Sequence, residues 1–185
     1  MVLNTSKLLV FLATFLFIGN SGPLRQQYDS KISKDLVKLF DAKKTDNLQL
    51  DQIATAEKSI EAYSITKQDR LVGYCVIKEV KACSLNGCVA QDVINDNLAS
   101  EYYDLAVFTD DSKKILSIRV LDYFSDYGYE ITSKRYLAQY HQKNLCDFSL
   151  EHPQVDGISG ATISYNALIA SLGDFCTVLQ VASEK

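Results

Sequence analysis

An α+β domain, an antiparallel sheet with helices packed on one side, is the fold class this sequence predicts. Three observations support it. The middle of the chain holds two strand-turn-strand patterns, the flanks hold apolar residues at helical spacing, and 47% hydrophobic content over 185 residues is enough to bury one core. Only two prolines and eight glycines, with no repeat period and no low-complexity tract, exclude a linker-rich or disordered chain. No internal boundary is visible, so residues 23–185 are expected to form one domain.

The elements follow in order. Lys7 precedes "LLVFLATFLFI", residues 8–18, and the small residues Gly19, Ser21 and Gly22 come after it. This eleven-residue stretch, apolar except for Thr14, is too short to cross a bilayer but suits a signal-peptide core with a small-residue cleavage zone. Residues 1–22 are therefore expected to be an export signal. Retention as an anchor is the alternative, because Asn20 and Pro23 make the cleavage zone irregular, and the lack of a nearby cysteine speaks against a lipid anchor.

"SKISKDLVKLF" spaces Ile32, Leu36, Leu39 and Phe40 as one helical face, and "LDQIATAEK" is expected to form a second short helix. "SIEAYSITK", a Gln-Asp turn and "RLVGYCVIKEV" predict a hairpin rich in β-branched and aromatic residues. "DLAVFTDDSKKILSIRVLDY" predicts a half-buried antiparallel pair, with Leu116, Ile118 and Val120 alternating with Ser117 and Arg119 and turn chemistry in Asp-Asp-Ser-Lys. "TSKRYLAQYHQK" places Tyr136, Leu137 and Tyr140 on one helical face, with Thr132 or Ser133 as N-cap. The strongest helix is the last, where Tyr165, Leu168, Ile169, Leu172, Phe175, Cys176 and Leu179 recur at intervals of three and four. Gly173 within it costs roughly 1 kcal/mol relative to alanine, which predicts close packing against a neighbouring backbone.

Charge and residue usage narrow the chemistry. A formal charge of −4 and no basic run longer than two residues, such as Lys113-Lys114, argue against the phosphate-neutralising surface of a nucleic-acid binder. An acidic chain favours positively charged partners, although net charge does not locate a patch. Of the five cysteines, Cys83 and Cys88 in "CSLNGC" are spaced to close a short disulfide loop, leaving Cys75, Cys146 and Cys176 and at least one free thiol. Buried unpaired thiols and metal or redox chemistry are the alternatives, and with only His141 and His152 in the chain the metal reading is the weakest. Neither histidine stands near a nucleophile motif, which argues against a hydrolytic triad.

The turn before the last helix carries the most specific signal. "DGISGAT" runs from Asp156 to Thr162 directly into the apolar stripe. The first amides of a helix have no internal acceptors and its macrodipole is positive there, so a turn of small residues suits a phosphate group. Gly160 permits a positive φ and close approach to an anion, Ala161 keeps the approach uncrowded, and Ser159 and Thr162 present hydroxyls. No Gly-x-Gly-x-x-Gly and no Gly-Lys-Ser/Thr loop is present, so the common dinucleotide and nucleoside-triphosphate sites do not apply. The plain alternative is that Ser159 caps the helix and Gly160 relieves a turn.

"DGISGAT" is similar to the flavinylation motif Asp-x-x-Ser/Thr-Gly-Ala-Thr of FMN-binding domains, a family that includes the flavin-carrying subunits of sodium-pumping NADH:quinone reductases and Rnf complexes and small exported FMN-binding proteins. Five such constraints recur by chance in roughly one chain per two thousand of this length. The resemblance implies that Thr162 carries FMN through a phosphoester bond, with Asp156, Ser159, Gly160 and Ala161 at the other motif positions. It further implies a separate magnesium-dependent flavin transferase that draws FMN from FAD.

A looser likeness spans roughly residues 60–180 and includes a Gly-containing segment, Ser125 to Tyr129, that in the family approaches the isoalloxazine ring. The respiratory-pump subunits have a proline-glycine turn there, which this chain lacks, so a standalone carrier fits better than a pump subunit. Tyr127 and Tyr129 are expected to be packing residues, with stacking on a flavin as the alternative.

The function implied is an exported electron carrier, periplasmic or on the outer face of the cytoplasmic membrane, that serves membrane or periplasmic redox partners. A module that binds FMN reversibly and an exported domain with no cofactor are the competing classes.

Overall fold

The computed structural model describes residues 22–42, 47–81, 101–125 and 128–183. Two helices, α1 (Pro23–Gln27) and α2 (Asp29–Leu39), precede five strands, β1 (Gln49–Ile53), β2 (Ile60–Lys67), β3 (Arg70–Lys81), β4 (Tyr102–Asp110) and β5 (Ile115–Tyr123). A string of short helical turns, including α3 (Lys134–Leu137), leads to the long α4 (Thr162–Ser183). The sheet is antiparallel throughout in the order β1-β2-β3-β4-β5, an α+β arrangement in which each strand pairs with its neighbour in the chain.

Both predicted hairpins form. Gln68 and Asp69 turn β2 into β3 with φ of 53° and 60°, the pair of left-handed residues that a tight hairpin turn needs. Between β4 and β5, the Asp110 carboxylate accepts from the Ser112 hydroxyl and the Lys114 N–H, both at 2.8 Å. The "LDQIATAEK" segment, in contrast, supplies strand β1 and not a helix. Its register, from Gln49 opposite Thr66 to Ile53 opposite Ala62, gives its backbone the ladder of β2, and this pairing overrides a local pattern too short to nucleate a stable helix.

The expectation of helices on one side of the sheet is corrected, because both faces are covered. On one face Val76, Val80, Tyr103, Leu105 and Val107 pack with Leu168, Ile169, Leu172 and Phe175 of α4. On the other, Cys75, Ile77, Ala106 and Phe108 pack with Ile32, Leu36 and Phe40 from α2 and the residue after it. β4 is consequently buried on both sides along most of its length. The half-buried pattern expected for β5 changes too. Register shifts skip Leu116 and Leu121, which join the α2 side, while Ile118 and Val120 stay on the α4 side.

Other expectations at the C-terminal end are mostly met. Ser133, and not Thr132, caps α3 by accepting from the Tyr136 N–H, but regular helix stops at Leu137 and gives way to a single 3-10 turn. All seven apolar positions of the last helix are buried. A Cβ at Gly173 would lie 3.7 Å from the Phe148 carbonyl, an ordinary contact, so the close packing expected there is not needed. Two tethers fix α4 to the rest. Cys146 and Cys176 form a disulfide across 30 residues, and the Lys78 ammonium of β3 bridges Asp174, at 2.8 Å, and Glu57, at 3.2 Å. Burial works against the Lys78 charge, but those two carboxylates outweigh it and hold its pKa above the ordinary lysine value.

Cys75 is a buried free thiol. The predicted Cys83–Cys88 loop, the export signal before Gly22 and Tyr127 lie outside the described residues.

Candidate functional site

α4 begins at Thr162, directly behind the turn formed by Ser159 and Gly160. The Ala161 N–H donates to the Ile158 carbonyl at 3.2 Å, and the Ala161 carbonyl accepts from the Tyr165 N–H at 2.9 Å, the first bond of the helix ladder. The amides of Thr162, Ile163 and Ser164 thus occupy the helix opening where donors have no intrahelical acceptor. Ser159 makes no capping hydrogen bond among the described residues, so the plain capping role has no support here.

Gly160 has φ of 87°, and a Cβ built on it would meet nothing within 4 Å. The glycine therefore answers a backbone requirement and leaves open space before the helix. Ala161 does something other than expected. It is 2% exposed and part of the main core, so its methyl anchors the turn to the protein instead of clearing room for an anion. Asp156, Ser159 and Thr162 are all exposed, with the Thr162 hydroxyl at the first helical position.

Several residues outside the motif hold this turn in place. Tyr103 in β4 donates its hydroxyl to the Ser164 carbonyl at 2.9 Å, and the Tyr123 hydroxyl in β5 lies 3.0 Å from Ser164 Oγ. The two tyrosine rings stack at 5.6 Å. Gly128, with φ of 76°, presses its backbone against the same serine; a Cβ there would sit 2.8 Å from Ser164 Oγ and 3.0 Å from the Tyr123 hydroxyl. Gly128 thus meets the first turn of α4. From the other side Tyr165 donates to the Val155 carbonyl at 3.2 Å, and its ring lies under Gly157. The signals for these contacts were faint, a tyrosine in each of two strands and a lone glycine.

Beside the turn is a cavity of about 690 Å3, between the motif loop and residues 129–139. Asp156 and Ile158 line one wall, and Tyr129, Arg135, Tyr136 and Gln139 line others. The Gln139 side-chain oxygen accepts from the Asp156 N–H at 3.4 Å and links the two walls. Tyr129 is 62% exposed, which corrects the expectation that it is a packing residue. Burial pushes the Tyr136 phenol up to about 12, against a smaller opposing effect of its hydrogen bond with Tyr140. Burial, joined by the nearby Asp156 carboxylate, also raises the Tyr165 pKa, and burial raises that of Tyr103 well above the usual tyrosine value. These phenols are neutral at physiological pH and serve as hydrogen-bond donors and ring surfaces.

Of the five predicted site residues, the structure brings four to the surface around one helix start, Asp156, Ser159, Gly160 and Thr162, and places Ala161 beneath them. The arrangement fits a phosphate-bearing cofactor. A left-handed glycine with clear space, amides at a helix start and an exposed threonine are the groups that could receive an anion, and the adjoining cavity lies within the roughly 300–1,000 Å3 usual for small-molecule sites. No cluster of metal-ligating side chains occurs among the described residues.

The fold is therefore an α+β domain whose last helix opens on an exposed turn of small residues, with a cavity beside it. Residues 102–175 match the family model of the FMN-binding domain, from the first residue of β4 through the motif and into α4. This match identifies residues 102–175 as similar to an FMN-binding domain and supports flavin binding by this part of the chain. The match includes β4, β5, Gly128 and Tyr165 and stops short of α1, α2 and the first three strands. No curated protein matches the chain.

Proposed function

We propose that this protein is an exported electron carrier that holds FMN covalently on Thr162. The observation that carries this reading is the exposed Thr162 hydroxyl on the first turn of α4, behind a left-handed Gly160 and inside the segment that matches the FMN-binding domain. Attachment joins the Thr162 oxygen to the flavin phosphate by a phosphoester bond. FAD is the donor, its pyrophosphate bond breaks, AMP leaves, and the hydroxyl proton passes to a magnesium-dependent flavin transferase. Nothing beside Thr162 is needed to activate it, because the base belongs to that enzyme. Exposure of the motif on the protein surface is what such an enzyme requires.

Bound FMN supplies one- and two-electron chemistry. The chain's own residues do the rest. The amides at the opening of α4 would hold the phosphate, while Tyr103, Tyr123 and Gly128 fix the first turn against the sheet. The neighbouring cavity offers Tyr129 as an aromatic surface and Arg135 as a cation for the ring system. Outside the cytoplasm a covalent tether keeps the cofactor at high effective concentration however weakly the fold binds it. Redox partners in the periplasm or the membrane complete the proposed chain.

Co-production with a flavin transferase, followed by acid precipitation, tests the attachment. Colour retained in the pellet of the parent protein and lost in Thr162→Ala supports the proposal. Colour released into the supernatant favours a reversible FMN-binding module, and the absence of flavin in either fraction favours a domain without the cofactor.

A further inference from the structure

β5 is the last strand of the sheet, and its outer side is only partly covered. At its start the Ile115 N–H donates to the Lys143 carbonyl at 2.9 Å, and the Gln142 N–H donates to the Ile115 carbonyl at 2.8 Å. His141 Nδ1 lies 3.0 Å from the Leu116 carbonyl. Past that point, from Ser117 to Val120, no strand pairs with the outer side of β5 among the described residues.

A groove of about 470 Å3 lies along this free stretch, between β5, α3 and the end of α2. Lys38, Arg119, Lys134 and His141 line it, and no carboxylate does. Arg119 forks onto Asp35 of α2, which fixes the guanidinium in place while 48% of its side chain stays exposed. Lys38 and Lys134 are exposed and make no ion pair among the described residues. In a chain with a formal charge of −4, this is a local reversal of sign at an open strand edge.

We propose that the groove docks an extended acidic segment of a partner protein, which adds to the sheet alongside β5. The strand edge supplies the backbone donors and acceptors for such an addition. The basic side chains select a segment rich in Asp or Glu and speed its encounter, since complementary charge acts mainly on specificity and association rate. The lining offers no deep aromatic pocket, so the complex is transient and salt-sensitive. Thr132 lines both this groove and the 690 Å3 cavity, and only the short α3 turn divides them. Resting on the flavin reading above, a partner seated here stands across one helical turn from the cofactor cavity, a placement suited to brief electron exchange.

The test measures binding to the flavin-free chain, so that its outcome is independent of cofactor attachment. A fluorescent peptide alternating Glu with Val is titrated, and amide shifts are followed by NMR. Saturable binding at low salt, shifts centred on Ser117 to Val120, and at least about a tenfold loss in a folded Lys38→Glu/Lys134→Glu variant are expected. A peptide of the same charge with N-methylated backbone amides should bind at least about tenfold more weakly, because it cannot pair with the strand. Equal binding of the N-methylated peptide, an unaffected double variant, shifts elsewhere on the chain, or no binding would overturn the proposal. So would tighter binding of anionic lipid vesicles or of a single-stranded oligonucleotide at the same residues.

Discussion

Replacing Gly128 by alanine should cost about 3 kcal/mol, and replacing Gly160 only about 1–2 kcal/mol, although both glycines hold left-handed backbone with φ of 76° and 87°. The shared part of the cost is conformational, roughly 1–2 kcal/mol for a side chain in that region. At Gly160 an added Cβ meets nothing within 4 Å, so the conformational part is the whole. At Gly128 the Cβ would lie 2.8 Å from Ser164 Oγ and 3.0 Å from the Tyr123 hydroxyl, two groups held 3.0 Å from each other, and such overpacking adds about 1–3 kcal/mol. Ser164→Ala alone loses a hydrogen bond worth about 1 kcal/mol, but it also removes the atom nearest the new Cβ.

The double variant Gly128→Ala/Ser164→Ala should therefore be less destabilised than the sum of the single ones by about 1 kcal/mol, beyond the roughly 0.3–0.5 kcal/mol expected of independent sites. Urea denaturation reads these values, and thermal midpoints should follow at about 2–4 °C per kcal/mol. Strict additivity, or a larger cost at Gly160 than at Gly128, would show that Gly128 does not press on the first turn of α4.

Three further outcomes are expected. Removing the Cys146–Cys176 disulfide by a double Cys→Ala substitution should cost about 3–4 kcal/mol from the loop-closure entropy of a 30-residue separation, read by urea denaturation of the oxidised parent and the variant. Asp104 titrates above the ordinary aspartate range, chiefly because it is buried, with a hydrogen bond from Tyr28 opposing the shift and the nearby Glu79 and Asp122 charges adding to it. The folded state then holds this proton more tightly than the unfolded one, so its contribution to stability falls as pH rises from about 3.9 through the raised folded value. Asp104→Asn should gain stability relative to the parent across that window and hold the gain above it; a difference independent of pH would refute the assignment. Tyr129→Ala, at an exposed position, should change stability by under about 0.5 kcal/mol yet increase quenching of bound-flavin fluorescence by iodide if Tyr129 covers the ring.

Much of the architecture was legible because local and tertiary preferences agree. The β2–β3 and β4–β5 hairpins carry their turn residues in sequence, and the apolar stripe of α4 coincides with its buried face. β1 was missed because five residues of mixed polarity become a strand only when β2 is present to pair with them. Burial of the sheet on both faces was hidden by the register shifts that send Leu116 and Leu121 to the opposite side from Ile118. The turn before α4 was legible because Gly160 sits at a positive φ that favours glycine, directly ahead of the apolar stripe. Ala161 was misjudged because sequence shows its size and not its direction. Tyr103, Tyr123 and Gly128 are separated from Ser164 by 36 residues or more, and only the folded sheet joins them.

The most direct measurement is peptide mapping by mass spectrometry of protein purified after co-production with a flavin transferase. The account predicts a flavin phosphate adduct on the peptide that spans Asp156 to Thr162, located at Thr162 and absent from the Thr162→Ala protein. An unmodified Thr162 alongside flavin attached to another residue, or flavin that leaves entirely on denaturation, would contradict it.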